Sequence, residues 1–538
     1  MKTTRKEFYY AKRIIKTEGT VIGAENLLKN KDTFVSFNGD GTCILKNADG
    51  VNASIIIDIG REISGCVRLI TRNIKHGKAK VRLVFGESVS EAMSVIGGKK
   101  NATNDHSPRD FEAMISSLST LDYGKTGYRF VKIELLGDGA EISLKNVVGI
   151  CELPDIDRIG YIKTSDERLN EIVETAFYTC QLNMQDGLIL DGIKRDRLVW
   201  SGDLFSEILT ILYTFGDTEN IPNALTFLRE TSGKDTWING IPSYNAWWLL
   251  NLCTYCKFTG KKDFFDENYD YVKFIVDEFD ACVAENGDMD FKLTGKKCGM
   301  EFFLDWPTET TPDEVPGTAL LLIYALDSVR ALGYDSELTA KCERICESLN
   351  RYVYTESDAK QVVALQVLCG NKNPELKKKL EKGGARGVST FMSYFILKAL
   401  DTLGSDKVFD IAKEYYGAML DRGATTFWED FNMDWLDGSG RIDEIPKEGE
   451  KDLHGDYGAF CYIGFRHSFC HGWSSGVYPF TVEKLLGLDV KANAYEKIAL
   501  DPSEGEIKAV DARIPTPYGN IEVSESGIKT PDKVKVIG

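Results

Sequence analysis

The chain has 538 residues, 43% apolar and 27% charged, the balance of a globular protein too long for one ordinary core. Its 82 acidic residues outweigh 65 lysines and arginines, and the formal charge of −17 argues against nucleic acid and strongly anionic polymers as partners. The start of the chain has no apolar signal core and no segment reaches roughly eighteen uninterrupted apolar residues, so neither an export leader nor a membrane span is expected.

Residues 1–30 read as a short helical or irregular lead-in, with Tyr9, Tyr10, Ile14 and Ile15 in helical period and Gly19 as the stop. Residues 31–160 change style. Segments 33–37, 53–58, 65–71, 80–85, 128–135 and 141–150 are short, β-branched and alternating, with Gly/Asn turns between them. That pattern predicts an antiparallel β-sandwich. The polar stretch 97–109 interrupts it and is expected to be a mobile loop.

From 161 to 487 helical periodicity dominates, starting at a capped amphipathic segment with Ser165 ahead of Leu169, Ile172 and Val173. About twelve helices of even pitch follow, compatible with an (α/α)6 barrel or an irregular all-α domain; periodicity does not choose. Residues 488–538 return to strands at 497–500, 505–513, 519–524 and 533–537, a short C-terminal β-domain. Thirteen scattered cysteines fit buried thiols in a reducing compartment, so a cytoplasmic location is expected. Cys253 and Cys256 have redox spacing but lie in an apolar helical run and read as structural. The five histidines and the cysteines show no zinc-ligand spacing, so no metal and no cofactor are expected.

The densest chemistry lies in residues 188–203, where Asp191, Lys194, Arg195, Asp196, Arg197 and Asp203 surround Trp200. A helical entry would stack Asp196, Trp200 and Asp203 on one face. Carboxylates beside an indole and guanidinium groups are what sugar cleavage needs: one acid protonates a leaving oxygen, others hold hydroxyls, and the indole faces a pyranose ring. On spacing alone the commoner reading is structural, with Asp203 capping the apolar helix from Leu204 and the other aspartates paired with arginines. Four further clusters sit at helix starts or loops. They carry Trp237, Tyr244, Trp247 and Trp248 in 235–248, Asp305-Trp306 before Pro307, Glu429 in 423–429, and His471 with Trp473 in 468–476.

Asp191, Arg195, Asp196, Arg197, Trp200, Gly202 and Asp203 together resemble the signature of the α-L-rhamnosidase family of glycoside hydrolases. One position departs, since the family usually has glutamate where this chain has Asp196, whose carboxyl sits about 1–1.5 Å further back. Segment 423–429, Gly-Ala-Thr-Thr-Phe-Trp-Glu, resembles the family's base segment, and 468–476 resembles its late histidine segment. Residues 58–65 with Gly86-Glu87 resemble the β-domain that precedes the family's barrel.

The resemblance implies a multidomain protein with a central all-α (α/α)6 barrel between an N-terminal β-sandwich and a C-terminal β-domain. It implies inverting release of terminal α-L-rhamnose, with Asp196 as acid and Glu429 as base. Asp191, Arg195 and Asp203 would then bind ring hydroxyls, and Trp200, Trp237, Trp306 and His471 would shape the pocket. The polar insertion 437–456 is expected to be a loop over that pocket. A carbohydrate is the expected partner, and a homo-oligomer is left open. The competing readings are a non-catalytic carbohydrate-binding relative and an (α/α)6 hydrolase or lyase acting on another sugar, such as a uronate.

Overall fold

The computed structural model describes residues 4–37, 41–98, 100, 102–104, 106–233, 236–290, 302–309 and 311–537. Asp235, Cys298 and, within the 97–109 stretch, Lys99, Asn101 and Asp105 lie outside the described residues.

Among these residues, nine strands form one antiparallel sheet. Its order is Thr20–Ile22, Cys43–Lys46, Glu141–Pro154, Ser54–Ile74, Ser119–Leu136, Lys78–Gly86 and Asp110–Ser116. Strand Thr4–Tyr10 pairs with Glu141–Pro154 and Arg13–Glu18 pairs with Ser54–Ile74. The expected helical lead-in is therefore a pair of strands. Spacings of one, four and one among Tyr9, Tyr10, Ile14 and Ile15 fit either period, and aromatic and β-branched residues beside an open sheet edge favour the strand. Segment 33–37 forms no strand; Phe34 and Phe37 are exposed and have no face to bury. At Gly65 the long strand shifts register, and a Cβ there would stand 2.0 Å from the Ile150 carbonyl oxygen. Only glycine allows that approach.

Each of the twelve periodic stretches carries a helix. They are Glu167–Asn183, Leu204–Thr214, Asn220–Ser232, Pro242–Thr259, Lys262–Asp280, Glu314–Leu332, Ser336–Leu349, Lys360–Leu368, Glu375–Glu381, Ser393–Thr402, Val408–Asp421 and Val477–Leu486. The first is capped by Asp166, whose side chain accepts from the Leu169 N–H at 2.8 Å, and not by Ser165. Glu314–Leu332 is long and apolar enough to cross a membrane, but most of it is buried and it packs against Pro242–Thr259. The eleven described cysteines with free thiols include Cys253 and Cys256, whose thiols burial pushes up, the latter to about 12. Such thiols are structural.

After the last helix, Ala509–Thr516 pairs with Tyr161–Thr164 and with Gly519–Ser524, which ties the C-terminus to the entry of the helical region. There Pro515 rests on Gly160 and Gly216.

The sheet and the helices meet across a charged, buried seam. Arg129 donates to Asp58 Oδ1 at 2.9 Å and to the Gly423 carbonyl at 2.8 Å, and lies 3.4 Å from Asp443 Oδ2. Arg13 and Arg441 also hold Asp443, so this part of the 437–456 insertion is stitched to the sheet and is not a loop over the pocket. Burial pushes the Asp443 carboxyl up, but these arginines outweigh it and hold it below its ordinary value. Removing one partner from a buried pair strands the other charge. Arg129→Met is expected to cost about 3–5 kcal/mol. Arg13→Met, at a side chain 42% exposed, should cost under about 1 kcal/mol. Equal shifts in thermal midpoint for the two variants would contradict this assignment.

Candidate active site

Residues 190–203 are irregular, not a helical entry. Asp196 and Arg197 take left-handed backbone angles, φ 53° and 56°, which break any helical stacking of Asp196, Trp200 and Asp203. Asp191 closes the loop. Its N–H donates to the Leu198 carbonyl at 2.9 Å and its Oδ1 accepts from the Leu198 N–H at 2.8 Å. Asp203 precedes helix Leu204–Thr214 without a capping bond from its side chain, which points instead toward His471.

The loop sends consecutive side chains in different directions. Ile193 enters the core of the β-region, and a Cβ on Gly127 would stand 2.4 Å from it. Lys194 is sealed in the seam: Nζ lies 2.8 Å from Glu87 Oε2 and 3.5 Å from Glu91 Oε1, and donates to the carbonyls of Phe465 and His467. Glu87, Glu91 and His454 have ligand atoms within 4.8 Å of one another, a spacing that suits a metal ion. The Lys194 ammonium, 3.0 Å from His454 Nε2, already supplies a cation there.

Arg195 points to the opposite side. Its Nη1 donates to Asp196 Oδ1 at 3.0 Å and its Nη2 to Glu429 Oε1 at 2.6 Å. Glu429 Oε2 accepts from the Ser468 N–H at 3.0 Å. His471 Nε2 stands 3.4 Å from Glu429 Oε1, 3.7 Å from Asp203 Oδ1 and 4.0 Å from Asp191 Oδ2, one ring nitrogen facing three carboxyls. Six expected site residues are thus brought together: Asp191, Arg195, Asp196, Asp203, Glu429 and His471.

Their charges are unequal. Burial pushes Asp203 up to about 7 and Asp191 well above its ordinary value, and His471 only partly offsets this. Burial acts in the same sense on Glu429, yet Arg195 and His471 override it and hold that carboxyl far below the usual range. His471 is raised despite its burial, because Glu429, Asp203 and Asp191 favour its charged form. The site therefore holds one firmly ionised carboxylate beside two carboxyls that burial keeps ready to carry a proton.

The aromatic expectations divide. Trp200 is half-buried and stands edge-on to Tyr244 at 5.9 Å. Trp306 donates from Nε1 to Tyr462 Oη at 2.8 Å, and the Tyr462 ring lies 4.6 Å from the Arg195 guanidinium. Trp473 Nε1 donates to the Glu429 carbonyl at 2.9 Å. Trp237 is not in the site; it is buried on Phe279 at 5.0 Å. Trp247 and Trp248 are fully buried core residues. The 235–248 segment contributes through Asn239 instead, whose amide binds the backbone of Val199 and Ser201 at 3.1 Å each. A cavity of about 670 Å³ opens at the far end of helix Leu204–Thr214, but there Glu483 is bound by Lys398, Tyr394 and Tyr213.

Sequence reasoning named Lys194 and Glu87 without giving either a role in the site, and missed Tyr462, His106 and Glu207. Glu207 is fully buried beneath the aspartates, and among the described residues neither carboxyl oxygen has a hydrogen-bond partner. A Cβ on Gly472 would stand 1.7 Å from its Oε1. Burial, then Asp203 and Asp191, push its carboxyl well above the ordinary 4.5. The folded state keeps a proton that the unfolded chain releases, so this residue's contribution to stability is complete below about pH 4.5 and falls by about 1.4 kcal/mol per pH unit above it. Glu207→Gln removes that slope. Its gain in thermal midpoint over wild type should widen from pH 5 to pH 8, and a constant gap would show that Glu207 ionises in the fold.

Residues 157–322 match the family model described as the bacterial alpha-L-rhamnosidase 6 hairpin glycosidase domain. No curated protein matches the chain. Among solved structures it is similar to a GH78 family rhamnosidase of Bacillus sp. GL1, with 19% identity, TM-score 0.69, and 90% of this chain and 52% of that one covered. A rhamnosidase from Klebsiella oxytoca with rhamnose bound gives 18% identity and TM-score 0.70 over 90% of this chain and 97% of that one. The Streptomyces avermitilis α-L-rhamnosidase complexed with L-rhamnose gives 16% and 0.68 over 89% and 48%. The chain thus spans about half the length of the Bacillus and Streptomyces proteins and nearly all of the Klebsiella one. These matches share its combination of a helical region with antiparallel sheets. Residues 157–322 thus match the bacterial alpha-L-rhamnosidase 6 hairpin glycosidase domain, and the chain shares the fold of these rhamnosidase structures.

Proposed function

We propose that this chain is an inverting glycoside hydrolase that releases terminal α-L-rhamnose from small glycosides or oligosaccharides, its helices forming an (α/α)6 barrel. The β-region would be a sandwich packed on one end of that barrel. The rhamnosides and L-rhamnose associated with the similar proteins supply the sugar class. Free, mostly buried thiols support a cytoplasmic location, where small imported glycosides would be the substrates.

One observation carries the reading: a single guanidinium, Arg195, spans Asp196 and Glu429. That bridge keeps the two carboxyls no more than roughly 8 Å apart, compatible with an inverting pair that admits a water between carboxylate and sugar. Asp196, partly open to solvent, donates a proton to the glycosidic oxygen. Glu429, ionised and buried, takes a proton from the attacking water. While Arg195 grips it, Glu429 is a weak base; a sugar hydroxyl that draws Nη2 away restores its basicity as substrate binds. Asp191, Asp203 and His471 form the polar floor for ring hydroxyls, and Trp200 offers the sugar a flat face.

The test is hydrolysis of p-nitrophenyl α-L-rhamnoside and of an unactivated rhamnosyl disaccharide by wild type, Asp196→Asn and Glu429→Gln. Glu429→Gln should lower kcat on both substrates by about 10²–10⁴-fold. Asp196→Asn should lower it comparably on the disaccharide and less on the nitrophenyl glycoside, whose leaving group needs no acid. Proton NMR of early product should show β-L-rhamnose; the α-anomer would overturn inversion. A wild type that binds rhamnose without cleaving either substrate would make the chain a carbohydrate-binding relative.

A further inference from the structure

The β-region places one more group against the proposed acid. His106 Nδ1 stands 3.4 Å from Asp196 Oδ1, while its Nε2 lies 3.2 Å from Arg466 Nη2. A guanidinium has donors only, so Nε2 accepts and the ring proton sits on Nδ1, the nitrogen nearer Asp196.

The histidine is held from both sides. Asn104 Oδ1 accepts the N–H groups of Arg109 and Asp110 at 2.8 and 3.0 Å. Ser107 Oγ donates to Thr126 Oγ1 at 2.8 Å, and the buried Arg109 guanidinium binds Thr126 Oγ1 and the Gly127 carbonyl. On the other side, Arg466 Nη1 donates to Thr103 Oγ1 at 3.1 Å and the Phe465 N–H donates to the Lys100 carbonyl at 3.0 Å. Gly464, at φ +63°, allows this contact, since a Cβ there would stand 2.0 Å from the Lys100 oxygen. The stretch expected to be a mobile loop is therefore anchored in its described part.

The geometry points to His106 as the positioning residue of Asp196, an inference that rests on the hydrolase reading above. Its Nδ1–H and Arg195 Nη1 both address Oδ1, and among the described residues no hydrogen bond or ion pair reaches Oδ2. Oδ2 is thereby turned toward the leaving oxygen, which a shorter acid on a left-handed backbone needs more than a glutamate would. In the cleavage step the Oδ2 proton passes to the glycosidic oxygen, which departs with the C–O electron pair. Water attacks the anomeric carbon as Glu429 takes its proton. The charge left on Asp196 is met at Oδ1 by Arg195 and His106.

His106→Ala, His106→Asn and wild type are compared on the disaccharide and on p-nitrophenyl α-L-rhamnoside. Alanine should lower kcat on the disaccharide by about 10–100-fold with KM little changed, and on the nitrophenyl glycoside by under about threefold. Asparagine, which keeps an N–H near the Nδ1 position, should recover most of the loss. Equal losses on both substrates, or none on the disaccharide, overturn the proposal while the hydrolase reading stands. A wild type inert on both overturns that reading and this role with it. Nitrogen-15 NMR of the imidazole adds a readout independent of turnover: a ring protonated on Nδ1 is expected, and one protonated on Nε2 contradicts the contact.

Discussion

The Lys194 ammonium is about 3% exposed and faces two glutamates that belong to another part of the fold. A charge so deeply desolvated costs several kcal/mol unless its partners are in place. Those partners, Glu87 and Glu91, come from the end of a sheet strand and the short helix after it. The loop that carries Lys194 can therefore adopt its geometry only when the sheet is docked. Ile193, one residue earlier, adds an apolar plug in the sheet's core. With two consecutive side chains fixed in the β-region, the next one, Arg195, is directed at Glu429.

Glu87 does a second job. Its Oε2 also accepts from the Phe469 N–H at 2.7 Å, within the segment whose Ser468 N–H binds Glu429 and whose His471 faces the aspartates. One buried carboxylate from the sheet thus sets both the groups that bind Glu429 and, through Lys194, the loop that bears Asp196. The β-region is part of the scaffold of the site, not an appendage to it, and through His106 it also reaches the Asp196 carboxyl.

The crowd of carboxyls explains how one small volume holds carboxyls shifted in opposite directions. Four of them, Asp191, Asp203, Glu207 and Glu429, share two cationic groups, Arg195 and His471. They cannot all ionise in a low dielectric. Arg195 and the nearest approach of His471 both fall on Glu429, which takes the charge, and burial leaves the others raised. The division follows from which side chain Arg195 reaches, and so again from the docking of Lys194.

The sequence by itself determined the helices, because an apolar stripe at 3.6-residue spacing has one use whatever it packs against, and all twelve stretches carry one. It also determined the cast of the site: Asp191, Arg195, Asp196, Asp203, Glu429 and His471 are legible as residue types in three separated segments. Tertiary structure decided the rest. Residues 4–18 fit both periods, and only an open sheet edge made them strands. Trp237 and Trp200 look alike in sequence, yet one is buried on Phe279 in the core and the other stands half-buried against Tyr244. Lys194 reads as one charge among many until Glu87, 107 positions earlier, is folded against it. Local spacing encodes which face of an element is apolar; it carries no information about which distant group will neutralise a buried charge, and here that pairing orients the site.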